Sequence, residues 1–277
     1  LRINAMGGAT ADINADGYLD YFISNIRFNR FMIQDPNDNI FVDQAEKLGT
    51  QLFTISWGTN FNDFDNDGDI DLFVANGDLN PNCVPMYNFL FENTNGQYKE
   101  QSLNFGLKDY GVGRGSAIFD LENDGDMDLI VISQKPIMDY GPPSITRLYR
   151  NDIKKGNYLQ VKLKGNASTI SAFGARIKIF SDSLFINHEI DGGNTSHLSH
   201  NSTMAHFGLG NRTKVDSIQV IWPGGEMTKI FEVQNNQRIF VEETQKFQKK
   251  SSTMLWLLII ILPICLFIFV RRKKKQS

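Results

Sequence analysis

Cysteine is scarce in these 277 residues: only Cys83, in a Pro/Asn loop, and Cys265, inside an apolar run, are present. So placed, they make no disulfide framework. Surplus positive charge is missing as well. The formal net charge is −3, and Arg271, Arg272, Lys273, Lys274 and Lys275 all lie in the last seven residues. Setting those five aside leaves 23 of the 28 Lys and Arg against 31 Asp and Glu, a net of −8. Such a balance repels phosphate and argues against a nucleic-acid partner. There is no Gly-rich phosphate loop. No strained Gly-x-Ser-x-Gly elbow surrounds Ser199 or Ser202. The chain begins at Leu1 rather than Met, with no signal peptide ahead of its first acidic stretch, so we expect it to be the C-terminal part of a longer protein.

Aromatic residues are plentiful at 12%, most of them Phe, which supports a packed core. Acidic residues are concentrated in three short stretches: Asp12-Ile-Asn14-Ala-Asp16-Gly17-Tyr18-Leu-Asp20, Asp63-Phe-Asp65-Asn-Asp67-Gly68-Asp69-Ile-Asp71 and Asp120-Leu-Glu122-Asn-Asp124-Gly125-Asp126-Met-Asp128. Each carries oxygen side chains at loop positions 1, 3, 5 and 9 and Gly at position 6. Hard cations such as Ca²⁺ take six to eight oxygen ligands, which alternate residues of a tight loop can supply. The Gly permits the sharp turn that returns position 9 toward the ion. Position 7 is expected to offer its backbone carbonyl, which leaves the side chains of Tyr18, Asp69 and Asp126 free to vary. An EF-hand is excluded, because position 12 is Ile23, Val74 or Val131 instead of a bidentate Glu. Apolar, β-branched runs follow each loop and predict buried strands, so each loop is expected to join two strands.

The first Asp of each loop falls at 12, 63 and 120. A second landmark recurs with nearly the same period: Asn29-Arg-Phe31, Asn88-Phe-Leu90 and Thr146-Arg-Leu148. The middle unit predicts four strands, the last two joined by an Asn95-Gly96 hairpin turn. That is the content of a propeller blade. Gly8, Gly58 and Gly115 stand just before the loops, where strands crowd an axis. This grammar resembles the FG-GAP/VCBS repeats of integrin-like propellers over about residues 1–150. The resemblance implies Ca²⁺ in the strand-connecting loops, held by Asp12, Asn14, Asp16 and Asp20, by Asp63, Asp65, Asp67 and Asp71, and by Asp120, Glu122, Asp124 and Asp128. Glu122 departs from the usual Asp or Asn. Three blades do not close a ring of about four to eight, so further blades upstream, or a pairing chain, are expected.

The acidic loops stop near residue 150 while strand-like runs continue to 243. Phe173-Gly-Ala-Arg-Ile-Lys-Ile179, His206-Phe-Gly-Leu-Gly210, Val215-Asp216 and Ile221-Trp-Pro-Gly-Gly225 resemble the ASPIC/UnbV domain of cartilage acidic protein-like proteins. The resemblance implies a secreted or surface protein linked to adhesion or matrix. A linker is expected over 244–253. Residues 254–270 carry no charge and predict one transmembrane helix, at the short end of the usual length. The basic tail 271–277 then stays in the cytoplasm and the rest lies outside the cell.

His197, His200 and His206 are read as loop and packing residues, since a Zn²⁺ site needs a third ligand that is not evident. The expected fold is therefore all-β: a partial β-propeller, a β-sandwich-like second domain over 151–243, and a single span. The expected function is that of a membrane-anchored, extracellular, calcium-binding β-propeller protein for adhesion or recognition of a protein or polysaccharide, without catalysis. The alternative is a surface enzyme with its chemistry in upstream blades or near His197–His206, and a weaker one is a spacer stalk.

Overall fold

In a computed structural model, residues 3–80, 82–136, 143–153, 156–191 and 195–244 are described. The apolar segment 254–270 and the basic tail lie outside them. Among the described residues every regular element is a strand.

The first acidic unit folds as an antiparallel meander of β1 (Ala5–Ala11), β2 (Asp20–Phe28), β3 (Arg30–Asp35) and β4 (Ile40–Asp43). The second contains β5 (Phe53–Asn62), β6 (Asp71–Asn76), a short β7 (Met86–Tyr87), β8 (Phe89–Thr94) and β9 (Gln97–Glu100). Its meander runs β5-β6-β8-β9. After β10 (Tyr110–Gly111), which pairs with β7, the third unit has β11 (Gly113–Phe119), β12 (Asp128–Ser133) and β13 (Arg147–Tyr149). The end of β2 also pairs with the start of β5, so the first two units share one curled eight-stranded sheet, as in a partial propeller. All six residues of β6 are buried, as its continuous apolar run predicts. Asn95 and Gly96 both have positive φ, 52° and 79°, the geometry of the expected two-residue turn between β8 and β9.

Each acidic loop joins the first and second strands of its unit, and its position-9 Asp begins the second strand. The second landmark is explained by the next turn. Asn29 Oδ1 accepts the Asn25 N–H (3.0 Å), Asn88 Oδ1 that of Asn76 (3.0 Å) and Thr146 Oγ1 that of Ser133 (3.3 Å). The landmark thus ties together the ends of the second and third strands.

The first strands crowd one another. A Cβ on Gly58 would lie 2.6 Å from Ser116 Oγ, and one on Gly7 would lie 2.6 Å from the Trp57 carbonyl. In the first unit the crowded position is therefore Gly7, five residues before its loop like Gly58 and Gly115. Gly8, the residue expected from the sequence, is less confined, its nearest neighbour being the Phe22 carbonyl at 3.3 Å.

The second domain has two sheets around one apolar core. One is β17-β14-β20, made from β14 (Asn157–Lys164), β17 (Met204–Gly210) and β20 (Gln237–Glu242); the other is β16-β15-β18-β19, made from β15 (Arg176–Ser181), β16 (Leu184–Glu189), β18 (Lys214–Ile221) and β19 (Met227–Gln234). Leu159, Val161 and Leu163 alternate inward from β14, and Ile177 and Ile179 from β15. Phe207 and Trp222 complete this core, the shared packing that a sandwich requires. Glu243 fastens the end of β20: its Oε2 accepts the N–H groups of Asn166, Ala167 and Ser168 and the Ser168 hydroxyl, all at 2.8–2.9 Å.

Leu1–Glu243 pack as one unit. A segment of the second domain lies along the first strands of all three acidic units. The Thr59 N–H donates to the Thr195 carbonyl (3.3 Å), the Ser116 N–H to Ser199 Oγ (3.1 Å), and the Ile118 N–H to Asn201 Oδ1 (3.0 Å). His197 Nδ1 lies 3.1 Å from the Met6 carbonyl.

Two predictions follow from these bonds. Asn88→Ala leaves the buried Asn76 N–H without its acceptor and should cost about 1–3 kcal/mol in urea unfolding; a loss under about 0.5 kcal/mol would show that the bond is dispensable. For Glu243, burial raises the carboxyl pKa, but the three N–H groups and the hydroxyl together outweigh it, and the net shift is downward. A lowered folded-state pKa gives stability above the unfolded value that is lost as pH falls through the folded one. Glu243→Gln should therefore melt below wild type at pH 7, with the gap closing as pH drops below about 4.3, the ordinary Glu value. An unchanged gap at acid pH would refute a role for the charge.

Candidate metal centre

The three loops share one internal hydrogen-bond plan. The position-1 carboxylate accepts two backbone N–H groups: Asp12 from Asp16 (3.1 Å) and Gly17 (2.8 Å), Asp63 from Asp67 (3.1 Å) and Gly68 (2.7 Å), Asp120 from Asp124 and Gly125 (both 3.1 Å). The position-5 carboxylate accepts the N–H of position 7, from Tyr18, Asp69 and Asp126 in turn. The position-9 carboxylate bridges loop and sheet. Its Oδ2 accepts the N–H of position 2 (Ile13, Phe64, Leu121) and its Oδ1 an N–H beyond the second strand (Gln34, Asn93, Asn151).

The backbone follows the same plan. Position 6 has φ of 91°, 104° and 93° at Gly17, Gly68 and Gly125, where a side chain would be strained. Position 4 is also left-handed, at Ala15, Asn66 and Asn123. Sequence reasoning did not single out position 4, although Asn at two of the three sites is a usable signal for that conformation.

The loops differ at position 3. Asn14 Oδ1 and Asp65 Oδ1 accept the N–H of position 5, at 3.2 and 3.3 Å. Glu122 instead lies half-exposed, 4.0 Å from the Arg150 guanidinium.

In the second loop Asp63, Asp65 and Asp71 are all buried and place one carboxylate oxygen each within 4.8 Å of the others; it is the one such group of three among the described residues. Oxygens bound at 2.3–2.6 Å to a common Ca²⁺ lie at most about 5 Å apart, so this spacing suits one ion. The electrostatics agree. Burial pushes the Asp63 carboxyl well above its ordinary pKa, against the Gly68 N–H and with added repulsion from Asp67 and Asp65. Burial likewise raises Asp71, with Asp63 the next cause. In the first loop burial lifts Asp12 and Asp20 to about 6. Carboxylates gathered and desolvated in this way repel one another until a cation neutralises them. The donor set is wholly oxygen, which suits a hard ion. Among the described residues, neither Asp63 nor Asp71 has a Lys or Arg within 4 Å.

The second domain touches all three loops, which no local pattern in the sequence signals. On the first, Asn187 Nδ2 of β16 donates to the Gly17 carbonyl (3.1 Å). On the second, His206 Nε2 is 2.7 Å from Asn66 Oδ1, and the Gly210 N–H donates to the Asn66 carbonyl (2.8 Å). A Cβ on Gly208 would collide with the Asp63 carboxylate. Burial drives the His206 pKa down to about 3, with His188 adding to the effect, so its imidazole is neutral beside the acidic loop. On the third, Gln160 Nε2 donates to Asp120 Oδ2 (2.8 Å), and Arg238 Nη2 is 3.5 Å from the same oxygen.

His197 and His200 each meet a backbone carbonyl, and among the described residues neither joins a group of three metal-ligating side chains.

Two family models match the chain: FG-GAP-like repeat over residues 63–131, and ASPIC and UnbV over residues 165–248. Cartilage acidic protein 1 of Mus musculus is 28% identical over 167 residues, covering 60% of this chain and 25% of the relative. The Homo sapiens protein of that name gives 28% over 167 residues, covering 60% and 24%. That of Xenopus tropicalis gives 27% over 227 residues, covering 80% and 34%. The chain thus spans about a quarter to a third of these relatives. It carries an FG-GAP-like repeat followed by an ASPIC and UnbV domain, in an all-β unit similar at low identity to cartilage acidic protein 1.

Proposed function

We propose that this chain belongs to an extracellular, membrane-anchored, calcium-binding protein that recognises a protein or polysaccharide and catalyses no reaction. The observation that carries the calcium reading is the convergence of buried Asp63, Asp65 and Asp71 in an all-oxygen cage. Asp12, Asn14, Asp16 and Asp20 form the matching set in the first loop. Tyr18 and Asp69 are assigned carbonyl ligands at position 7. When bound, Ca²⁺ supplies the charge that offsets carboxylate repulsion. The residues do the rest: Asp63 gathers the backbone N–H groups of its loop, and Asp71 ties that loop to β6 and β8. The result is a stiff edge on which a recognition surface can be presented.

The outside location is supported by the charge-free run 254–270 followed by five basic residues. It is also supported by the loop chemistry, since extracellular calcium modules work with weak sites of about 10⁻⁴–10⁻³ M. A binding role is supported by His197 and Ser199, the nearest candidates for chemistry, whose polar atoms meet backbone groups of the first strands.

At free Ca²⁺ of 100 times Kd, wild type should gain about 2.7 kcal/mol per site over its stability in chelator. Asp65→Ala should lose most of one such increment and much less in chelator; equal loss in both conditions would end the metal role of that loop. In cells, the chain should stay with membranes through alkaline carbonate washing. Removing residues 254–277 should release it, and release of the intact chain would exclude the anchor.

A further inference from the structure

The third acidic loop differs from the other two at both residues that should face a cation first. Asp120 Oδ2 already accepts the Gly125 N–H (3.1 Å) and Gln160 Nε2 (2.8 Å), and Arg238 Nη2 lies 3.5 Å away. The guanidinium is held in place. Its Nε and Nη2 donate to Gln160 Oε1 at 2.9 and 2.7 Å, and Nη1 donates to Asn123 Oδ1, at position 4 of the same loop, at 2.8 Å. Glu122, at position 3, is turned toward Arg150. Among the described residues the position-1 carboxylates Asp12 and Asp63 have no Lys or Arg within 4 Å. The second domain meets the first loop through an amide, Asn187 on the Gly17 carbonyl, and the second through an imidazole and a backbone N–H on Asn66.

We propose that Arg238 takes the place of a divalent ion at the third loop, so that the chain binds Ca²⁺ through its first two loops and joins the third to the second domain by an ion pair. This rests on the calcium reading above. A fixed guanidinium supplies Asp120 with the positive charge that a cation-free acidic loop lacks, while Gln160, which holds that guanidinium, donates to the same carboxylate oxygen. A divalent ion placed in the same loop would meet an oxygen already serving two donors, a missing position-3 ligand and a like charge. The second domain thereby distinguishes three loops of one grammar. Among the described residues it brings a guanidinium to the position-1 carboxylate of the third loop and none to those of the first two.

The test is the number of ions bound per chain, by equilibrium dialysis with ⁴⁵Ca²⁺ on the whole chain in detergent. Asp63→Asn should bind one ion fewer than wild type, and Asp120→Asn the same number as wild type. One ion fewer in Asp120→Asn overturns the proposal. A double variant, Glu122→Asp with Arg238→Gln, rebuilds position 3 and removes the guanidinium. It should bind one ion more than wild type, and no gain also overturns the proposal, whether or not Asp120→Asn folds. A wild-type chain that takes up no ion overturns the calcium reading itself and this inference with it, so the two failures are told apart.

Discussion

Much of this molecule turns on how one carboxylate at the end of each acidic loop divides its two oxygens. Asp20, Asp71 and Asp128 each give one oxygen to the start of the loop and the other to an N–H beyond the second strand. Both bonds are buried at Asp71 and part-buried at Asp20 and Asp128, and they belong to the strong class of protein hydrogen bond when the carboxylate is ionised. They set where the loop closes and hold the end of the third strand beside it. The cost is negative charge in a desolvated place. Backbone N–H groups offset part of it, and the remainder explains why Asp63 and Asp71 are so reluctant to ionise. The acidic loops are therefore structural joints whose own geometry creates the demand for positive charge.

Three copies of one motif set up that demand in chemically different surroundings. The second loop concentrates three buried carboxylates around a space that suits an oxygen-seeking ion. The third brings in a guanidinium from β20, held by Gln160 and Asn123. Arg suits this task because its planar donors engage several acceptors at once and its charge is permanent. Repetition of the motif thus preserves the backbone plan more strictly than the side chains that face its carboxylates.

How far the sequence revealed this depends on how local the cause is. The loop turns, the first-to-second strand junction and the Asn95-Gly96 hairpin were legible because each depends on a few neighbouring residues with special backbone preferences. The landmark starting at Asn29, Asn88 and Thr146 was legible as a period, while its cause, an acceptor for the end of the second strand, appears only once the strands are paired. Gly7 was passed over for Gly8 because both glycines fit the spacing, and only their distant neighbours, the Thr195 and Trp57 carbonyls against Gly7, distinguish them. Asn187, His206 and Arg238 escaped notice for another reason. They lie between 115 and 170 residues from the loop groups they touch, and a single sequence carries no pattern at that distance.

The same long-range contacts change what the second domain is. As a separate module on a linker it would need only its own core, which Leu159, Ile177, Phe207 and Trp222 supply. Yet the Thr59, Ser116 and Ile118 N–H groups of β5 and β11 find their acceptors in the segment 195–201. A buried N–H left without an acceptor costs about 1–3 kcal/mol, a large share of the few kcal/mol that separate folded from unfolded domains. Without that segment the first strands would also present open edges, which invite pairing with other chains. The second domain is thus part of what completes the blades as well as a neighbour to them, and the acidic loops lie where blades and second domain meet.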